Sequence, residues 1–163
     1  MKNLHLEPKK LNLENSWNLK NKGLLQLIAK ASATVEDLNL HKTCISGEGL
    51  ESVPVLNLKK LDLRSCRRLT NTGLLQLLMK CSSTLEDLNL DGTFISGEGL
   101  ESVPFFRLEK LNLVRCKSLS NTGLLQLLAK CSATLKDLNL SSTDISGEGL
   151  DSIPVLKQLE KLC

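Results

Sequence analysis

An alternation of apolar and polar residues with period two, x-Leu-x-Leu, recurs six times along the chain, at Lys10–Leu13, Asp37–Leu40, Lys60–Leu63, Asp87–Leu90, Lys110–Leu113 and Asp137–Leu140. Period two turns the leucines to one face of a short strand and the polar residues to the other. After every other strand the spacing becomes helical. In NTGLLQLLMKC, the residues Leu74, Leu75, Leu77 and Leu78 form one apolar face. That predicts a helix over roughly Thr72–Lys80, capped by Thr70 or Asn71 and ended by the small polar run CSST. After the intervening strands comes ISGEGLESVP. There Ser96 can cap, Glu98 suits a first turn and Pro104 stops the helix. Two glycines in so short a stretch leave room for one or two helical turns, α or 3₁₀.

The two kinds of segment alternate with a fixed period. A shift of 50 positions lays Pro8–Asn57 on Leu58–Arg107, and that stretch on Leu108–Lys157, without a gap. Each such unit divides into a long half of 27 residues, as at 58–84, and a short half of 23, as at 85–107. Self-similarity of this kind is the mark of a solenoid. Strands joined by helical crossovers run parallel. The expectation is one domain over 1–163, with half-units at 8–34, 35–57, 58–84, 85–107, 108–134 and 135–158 and partial repeats at 1–7 and 159–163. Leu4 and Leu6 are placed to cover the first coil, and Leu162 with Cys163 to begin a seventh strand.

The six openings and their alternating lengths resemble the leucine-rich repeat family over the whole chain. The long half-units LKKLDLRSCRRLTNTGLLQLLMKC and LEKLNLVRCKSLSNTGLLQLLAKC look like its cysteine-containing subtype, best known from F-box substrate receptors of ubiquitin ligases. The alternation of two lengths is similar to ribonuclease inhibitor and to the sensor arms of intracellular innate immune receptors. The chain departs from the subtype where Thr43, Thr93 and Thr143 stand in place of the ladder cysteine, and where Ser16 and Ala31 replace both cysteines of the first long half-unit. The resemblance implies an α/β, right-handed solenoid with a parallel β-sheet on the concave face and helices or short helical turns on the convex face. It implies a non-enzymatic protein-binding role, as a fragment of an intracellular receptor or of a ubiquitin-ligase substrate receptor. No F-box, nucleotide-binding or TIR-like stretch occurs within these residues, so none of those activities carries over.

Composition narrows the setting. Aromatics are 2% and tyrosine is absent, so the core must be aliphatic. A net charge of +3 does not by itself point to nucleic acid or an anionic membrane. No apolar run reaches the ~18–20 residues of a membrane span, and the start lacks the apolar core of a signal peptide. The expected location is therefore the cytoplasm or nucleus. The cysteines agree with it. Cys66 and Cys116 share one repeat position, and Cys81 and Cys131 another. Each pair is two coils apart, roughly 9–10 Å, beyond the ~7 Å a disulfide allows. Buried free thiols and a reducing compartment follow, although a strained Cys44–Cys66 link between neighbouring coils stays open.

Two columns of polar residues repeat faithfully. Lys10, Asp37, Lys60, Asp87, Lys110 and Asp137 alternate in sign, which reads as a neutralising ladder between strands. Asn12, Asn39, Asp62, Asn89, Asn112 and Asn139 read as a polar ladder. Just past each strand, Ser16, Thr43, Cys66, Thr93, Cys116 and Thr143 are small weak donors suited to bond the backbone of the neighbouring coil.

Variation concentrates at the strand exits. The residues assigned to partner binding are Glu14, Trp17, His41, Lys42, Arg64, Arg67, Arg68, Asp91, Phe94, Val114, Arg115, Lys117, Ser141 and Asp144. Tryptophan and arginine are common interface anchors. The basic members fit an acidic protein or peptide. Nucleic acid fits poorly, because stacking aromatics are scarce and Asp91 interrupts the patch. Neither His5 nor His41 has a nucleophile or metal partner at a known spacing. Ser-Gly-Glu-Gly at Ser46, Ser96 and Ser146 lacks the remaining signature of a phosphate loop and reads as a structural turn. No catalytic, cofactor or metal site is assigned. The rival reading is a structural or self-assembling module, pairing through the edge strand it ends on, or an idealised repeat scaffold.

Overall fold

The computed structural model describes residues 9–31, 34–104, 106–153 and 160–162. Among these, strands and helical segments alternate as β1 (Lys10–Asn12), α1 (Asn21–Ala31), β2 (Asp37–Asn39), a 3₁₀ turn at Leu50–Ser52, β3 (Lys60–Asp62), α2 (Asn71–Cys81), β4 (Asp87–Asn89), a 3₁₀ turn at Leu100–Ser102, β5 (Lys110–Asn112), α3 (Asn121–Cys131), β6 (Asp137–Asn139), a 3₁₀ turn at Leu150–Ser152 and β7 (Lys161–Leu162). The strands form one sheet in chain order, every neighbouring pair parallel. Each crossover carries a helix or a helical turn, giving the right-handed coil that the alternation predicts.

Register follows from the pleat. Leu11, Leu38, Leu61, Leu88, Leu111, Leu138 and Leu162 are successive partners across the sheet. The central leucines of β2 to β6 are all but fully buried. With Leu40, Leu63, Leu90 and Leu113, and with Leu74, Leu77 and Leu78 from α2, they form one aliphatic spine. Leu4, Leu6 and Cys163 lie outside the described residues, while Leu162 pairs with Leu138 as part of the expected seventh strand.

The helices run one residue further at each end than Thr72–Lys80. Thr70 is the cap: its Oγ1 accepts from the Gly73 N–H at 3.0 Å, and Ser120 repeats the bond at Gly123. Asn71 does something else. Its Nδ2 donates to Ser96 Oγ at 2.7 Å, and its Oδ1 accepts from the N–H groups of Ser96 and Gly97 at 3.0 and 3.3 Å. Asn21 and Asn121 tie down Ser46 and Ser146 in the same way. Each Ser-Gly-Glu-Gly turn is thus pinned by the helix before it. Ser96 does not cap the short helix. Gly97 and Gly99 both have φ near +82°, so helical backbone begins only at Leu100, and the first-turn acid is Glu101, not Glu98. Ser96 Oγ accepts instead from the Glu98 N–H at 3.3 Å.

The column past the strands divides its labour. Thr43, Thr93 and Thr143 donate back to the carbonyls of Leu40, Leu90 and Leu140 in their own coil, at 2.7–2.8 Å. The cysteines reach across instead, Cys66 Sγ donating to Leu40 O at 3.0 Å and Cys116 Sγ to Leu90 O at 3.1 Å. Cys44, Cys66, Cys81, Cys116 and Cys131 are free thiols, so no Cys44–Cys66 link forms. Only Cys44 of these five is partly accessible. Iodoacetamide should therefore alkylate Cys44 in the native protein, while the four buried thiols react ~100-fold or more slowly until denaturant is added. Mass spectrometry of a C163S variant reads this directly.

Candidate protein-binding face

The polar side of the sheet carries the charge ladder in the expected register, Lys10 to Asp37 to Lys60 to Asp87 to Lys110 to Asp137, continued by Lys161. Direct ion pairs close at Lys10–Asp37, 3.2 Å, and Lys60–Asp87, 3.9 Å. Burial holds the Asp87 carboxyl above its ordinary range even though Lys60 and Lys110 pull it down. The ladder therefore sets register and neutralises the face more than it adds stability. A second ladder one residue earlier escaped the sequence reading. Glu36 bridges Lys9 at 3.3 Å and Lys59 at 3.0 Å, and Glu109 meets Lys136 at 3.0 Å. The hydrogen bond from Lys59, then that from Lys9, lowers the Glu36 carboxyl. Its signal, Lys9-Glu36-Lys59-Glu86, is broken by Glu109, where two acids become neighbours.

The Asn column is not a cross-strand ladder. Each side chain accepts from the N–H two residues on in its own chain: Asn12 from Glu14, Asn39 from His41, Asp62 from Arg64, Asn89 from Asp91, Asn112 from Val114 and Asn139 from Ser141, all at 3.0–3.1 Å. These Asx turns lead into a left-handed residue at every exit: Asn15, Lys42, Ser65, Gly92, Arg115 and Ser142 have φ between 54° and 67°. At the first five exits the N–H of that residue donates to the next coil, as from Lys42 to Arg64 O at 2.9 Å and from Ser65 to Asp91 O at 2.7 Å. Six exits thus share one stiff backbone shape while their side chains differ.

The structure divides the assigned side chains into paired and unpaired. Glu14 meets His41 Nδ1 at 3.0 Å. Arg64 grips Asp62, with Nη2 to Oδ2 at 2.7 Å, and this bond keeps its guanidinium charged. Arg115 makes a fork on Asp91 of the preceding coil, at 2.9 and 2.7 Å. Lys117 bonds Asp144 at 2.8 Å. Lys42, Arg67 and Arg68 are exposed and carry no ion pair among the described residues.

Two shallow hollows gather these groups. One is lined by Trp17, Lys42, Thr43, Cys44, Ser65, Arg67 and Arg68. The other is lined by His41, Lys42, Arg64, Ser65, Arg67, Asp91, Gly92, Phe94 and Arg115. They share Lys42, Ser65 and Arg67, so they make one trough along the strand exits. Trp17 is 61% exposed and Phe94 54%. Glu14, Val114, Lys117, Ser141 and Asp144 line neither hollow, the last four continuing the exits toward the C-terminal coils. A third hollow lies over the sheet itself, between Lys10, Asp37, Lys60, Asp62, Asp87 and Asn89.

Residues 56–78 and 131–153 match the Leucine Rich repeat family model. The architecture is a leucine-rich-repeat solenoid. The first match runs from the end of a short half-unit through β3 into α2, and the second from the end of α3 through β6 to its 3₁₀ turn. Both leucine-rich repeats therefore contain a strand, its Asx turn and the residues of an exit. No curated protein matches the chain. None of the described helices is long and apolar enough to cross a membrane.

Proposed function

We propose that this solenoid is a non-enzymatic protein-binding module that engages its partner through the concave sheet face and the adjoining strand-exit trough. The observation that carries this reading is the contrast at the exits. Backbone shape and core repeat from coil to coil, while the side chains mounted on that shape change, and two large aromatics stand in solvent. Leucine-rich repeats as a class serve protein binding, which supports the reading. A backbone locked by Asx turns and inter-coil bonds has already lost its ordering entropy, so little remains to be lost on docking. Buried free thiols suit a reducing compartment, where an intracellular receptor or a ubiquitin-ligase substrate receptor would work.

The test is selection of a randomised peptide-display library on the immobilised chain. Selected peptides should bind the variant W17A/R64A/R67A/F94A/R115A at least ~10-fold more weakly, the scale expected when interface anchors are truncated. Unchanged affinity for that variant would remove the trough from the proposal.

A further inference from the structure

Resting on the protein-binding reading, we infer that the trough is built for a short extended acidic segment of a partner protein, held by Lys42, Arg67 and Arg68 and anchored at both ends by Trp17 and Phe94. The chain itself answers part of the charge at the strand exits. Arg64, Arg115, Lys117 and His41 each sit on a carboxylate of the chain itself. A ligand carboxylate would have to displace those partners. The three cations without one are contiguous, and they border the same hollow as the exposed Trp17. Positive charge left unanswered at one place, beside an apolar platform, is complementary to acidic groups flanked by apolar ones.

Spacing sets the length of the segment. Trp17, Cys44, Arg67 and Phe94 hold the same place in four successive exits, each five residues past its Asx side chain. Inter-coil hydrogen bonds run as far as Asn15, Lys42 and Ser65, two residues before these positions, so the coils enter the exits at strand spacing. Three spacings of ~4.8 Å put Trp17 and Phe94 ~14 Å apart. An extended chain advances ~3.3 Å per residue and returns to the same face every second residue. Apolar side chains at positions i and i+4 reach both aromatics, and the acidic side chain at i+2 shares their face and lies over Arg67. Acidic residues at i+1 and i+3 add to the negative field the cations meet. A partner of this form is a protein segment; single-stranded nucleic acid would place phosphates on the same cations but would want a stacking ring at every base step.

The chain has one tryptophan, so its fluorescence reports on this site alone. The probes are the peptide GLDEDLG, its neutral counterpart GLNQNLG, its anchor-free counterpart GADEDAG and a twelve-nucleotide oligo(dT). GLDEDLG should change Trp17 emission saturably and bind at least ~10-fold more tightly than either control peptide, with an affinity that falls as NaCl is raised. The variant K42E/R67E/R68E should lose that response, and F94A should weaken it at least ~5-fold. Because the salt titration and the control peptides use the unaltered chain, the result stands even where a variant folds poorly. Equal binding of GLNQNLG, tighter binding of oligo(dT), or no response to GLDEDLG overturns the inference. In that case neutral library peptides that still require Trp17 and Phe94 would keep the protein-binding reading, and library peptides indifferent to both would end it.

Discussion

Gly73→Ala should destabilise the protein by several kcal/mol, while Gly23→Ala, at the same repeat position, should leave stability unchanged or raise it by about 1 kcal/mol. The difference is the coil that each glycine faces. Gly73 opens α2 where the helix presses against the turn of the preceding short half-unit. A Cβ there would run into the Ser46 carbonyl and sit 2.8 Å from Gly47 Cα, both backbone atoms that cannot swing aside. Gly123 meets Ser96 and Gly97 in the same manner. The approach is needed because Thr70 N–H donates to Ser46 O at 3.1 Å, and Ser120 N–H to Ser96 O at the same distance. At Gly23 the nearest atom among the described residues is Leu19 Cδ1, 3.2 Å away and at the free end of a flexible side chain. There the ordinary helix preference for alanine over glycine decides. In a solenoid each coil is held chiefly by its neighbours, so a fault at Gly73 weakens the seam on which both sides depend. Urea unfolding of G23A, G73A and G123A measures the contrast. If G73A proves as stable as G23A, the coils do not press together as described.

The architecture was legible because it rests on features that repeat. Leucines at period two fixed the strands at Lys60–Asp62 and its counterparts, and helical spacing placed α2 to within one residue at each end. What escaped depends on reach and backbone sign, which letters alone do not show. The Asn column reads equally well as a cross-strand ladder or as a set of Asx turns. The choice lies with the left-handed residue three places on, and Asn15, Lys42, Ser65, Arg115 and Ser142 do not announce a positive φ as Gly92 does. Ser96 looks like a cap until Gly97 and Gly99 are seen to hold the backbone out of the helical region. The basic exits look like one patch when charges are counted. The structure divides them, because the Arg115 guanidinium reaches back a whole coil to Asp91, whereas Arg67 makes no ion pair among the described residues. Partner chemistry resides in these irregular positions, which no period constrains.

Stability should also fall steeply between about pH 9 and pH 12, driven by the buried thiols. Burial pushes Cys81 and Cys131 up to about 12. Burial raises Cys66 and Cys116 as well, partly offset by hydrogen bonds to Thr43 and Thr93. In the unfolded chain a cysteine ionises near ~8.5. The folded value is the higher one, so the thiol contribution is complete below ~pH 8.5 and is lost as pH climbs toward the folded value. Cys81 and Cys131 each remove about 1.4 kcal/mol per pH unit between those two values. Cys81 and Cys131 together remove about 3 kcal/mol per unit, which against a typical total of about 5–15 kcal/mol brings unfolding before pH 12. The chain has no tyrosine, so no phenol titrates across the same range. Lysines contribute nearer their own pKa, as at Lys59, whose ammonium is held up by its bond to Glu36. Urea unfolding at half-unit steps from about pH 8 to 9.5, below the lysine range, therefore reads chiefly the thiols. The variant C81A/C131A should start from a lower stability, having lost two buried sulfur atoms, yet show a clearly shallower fall with pH. A slope left unchanged by the double substitution would mean that these thiols reach solvent more easily than the packing of α2 and α3 against the sheet allows.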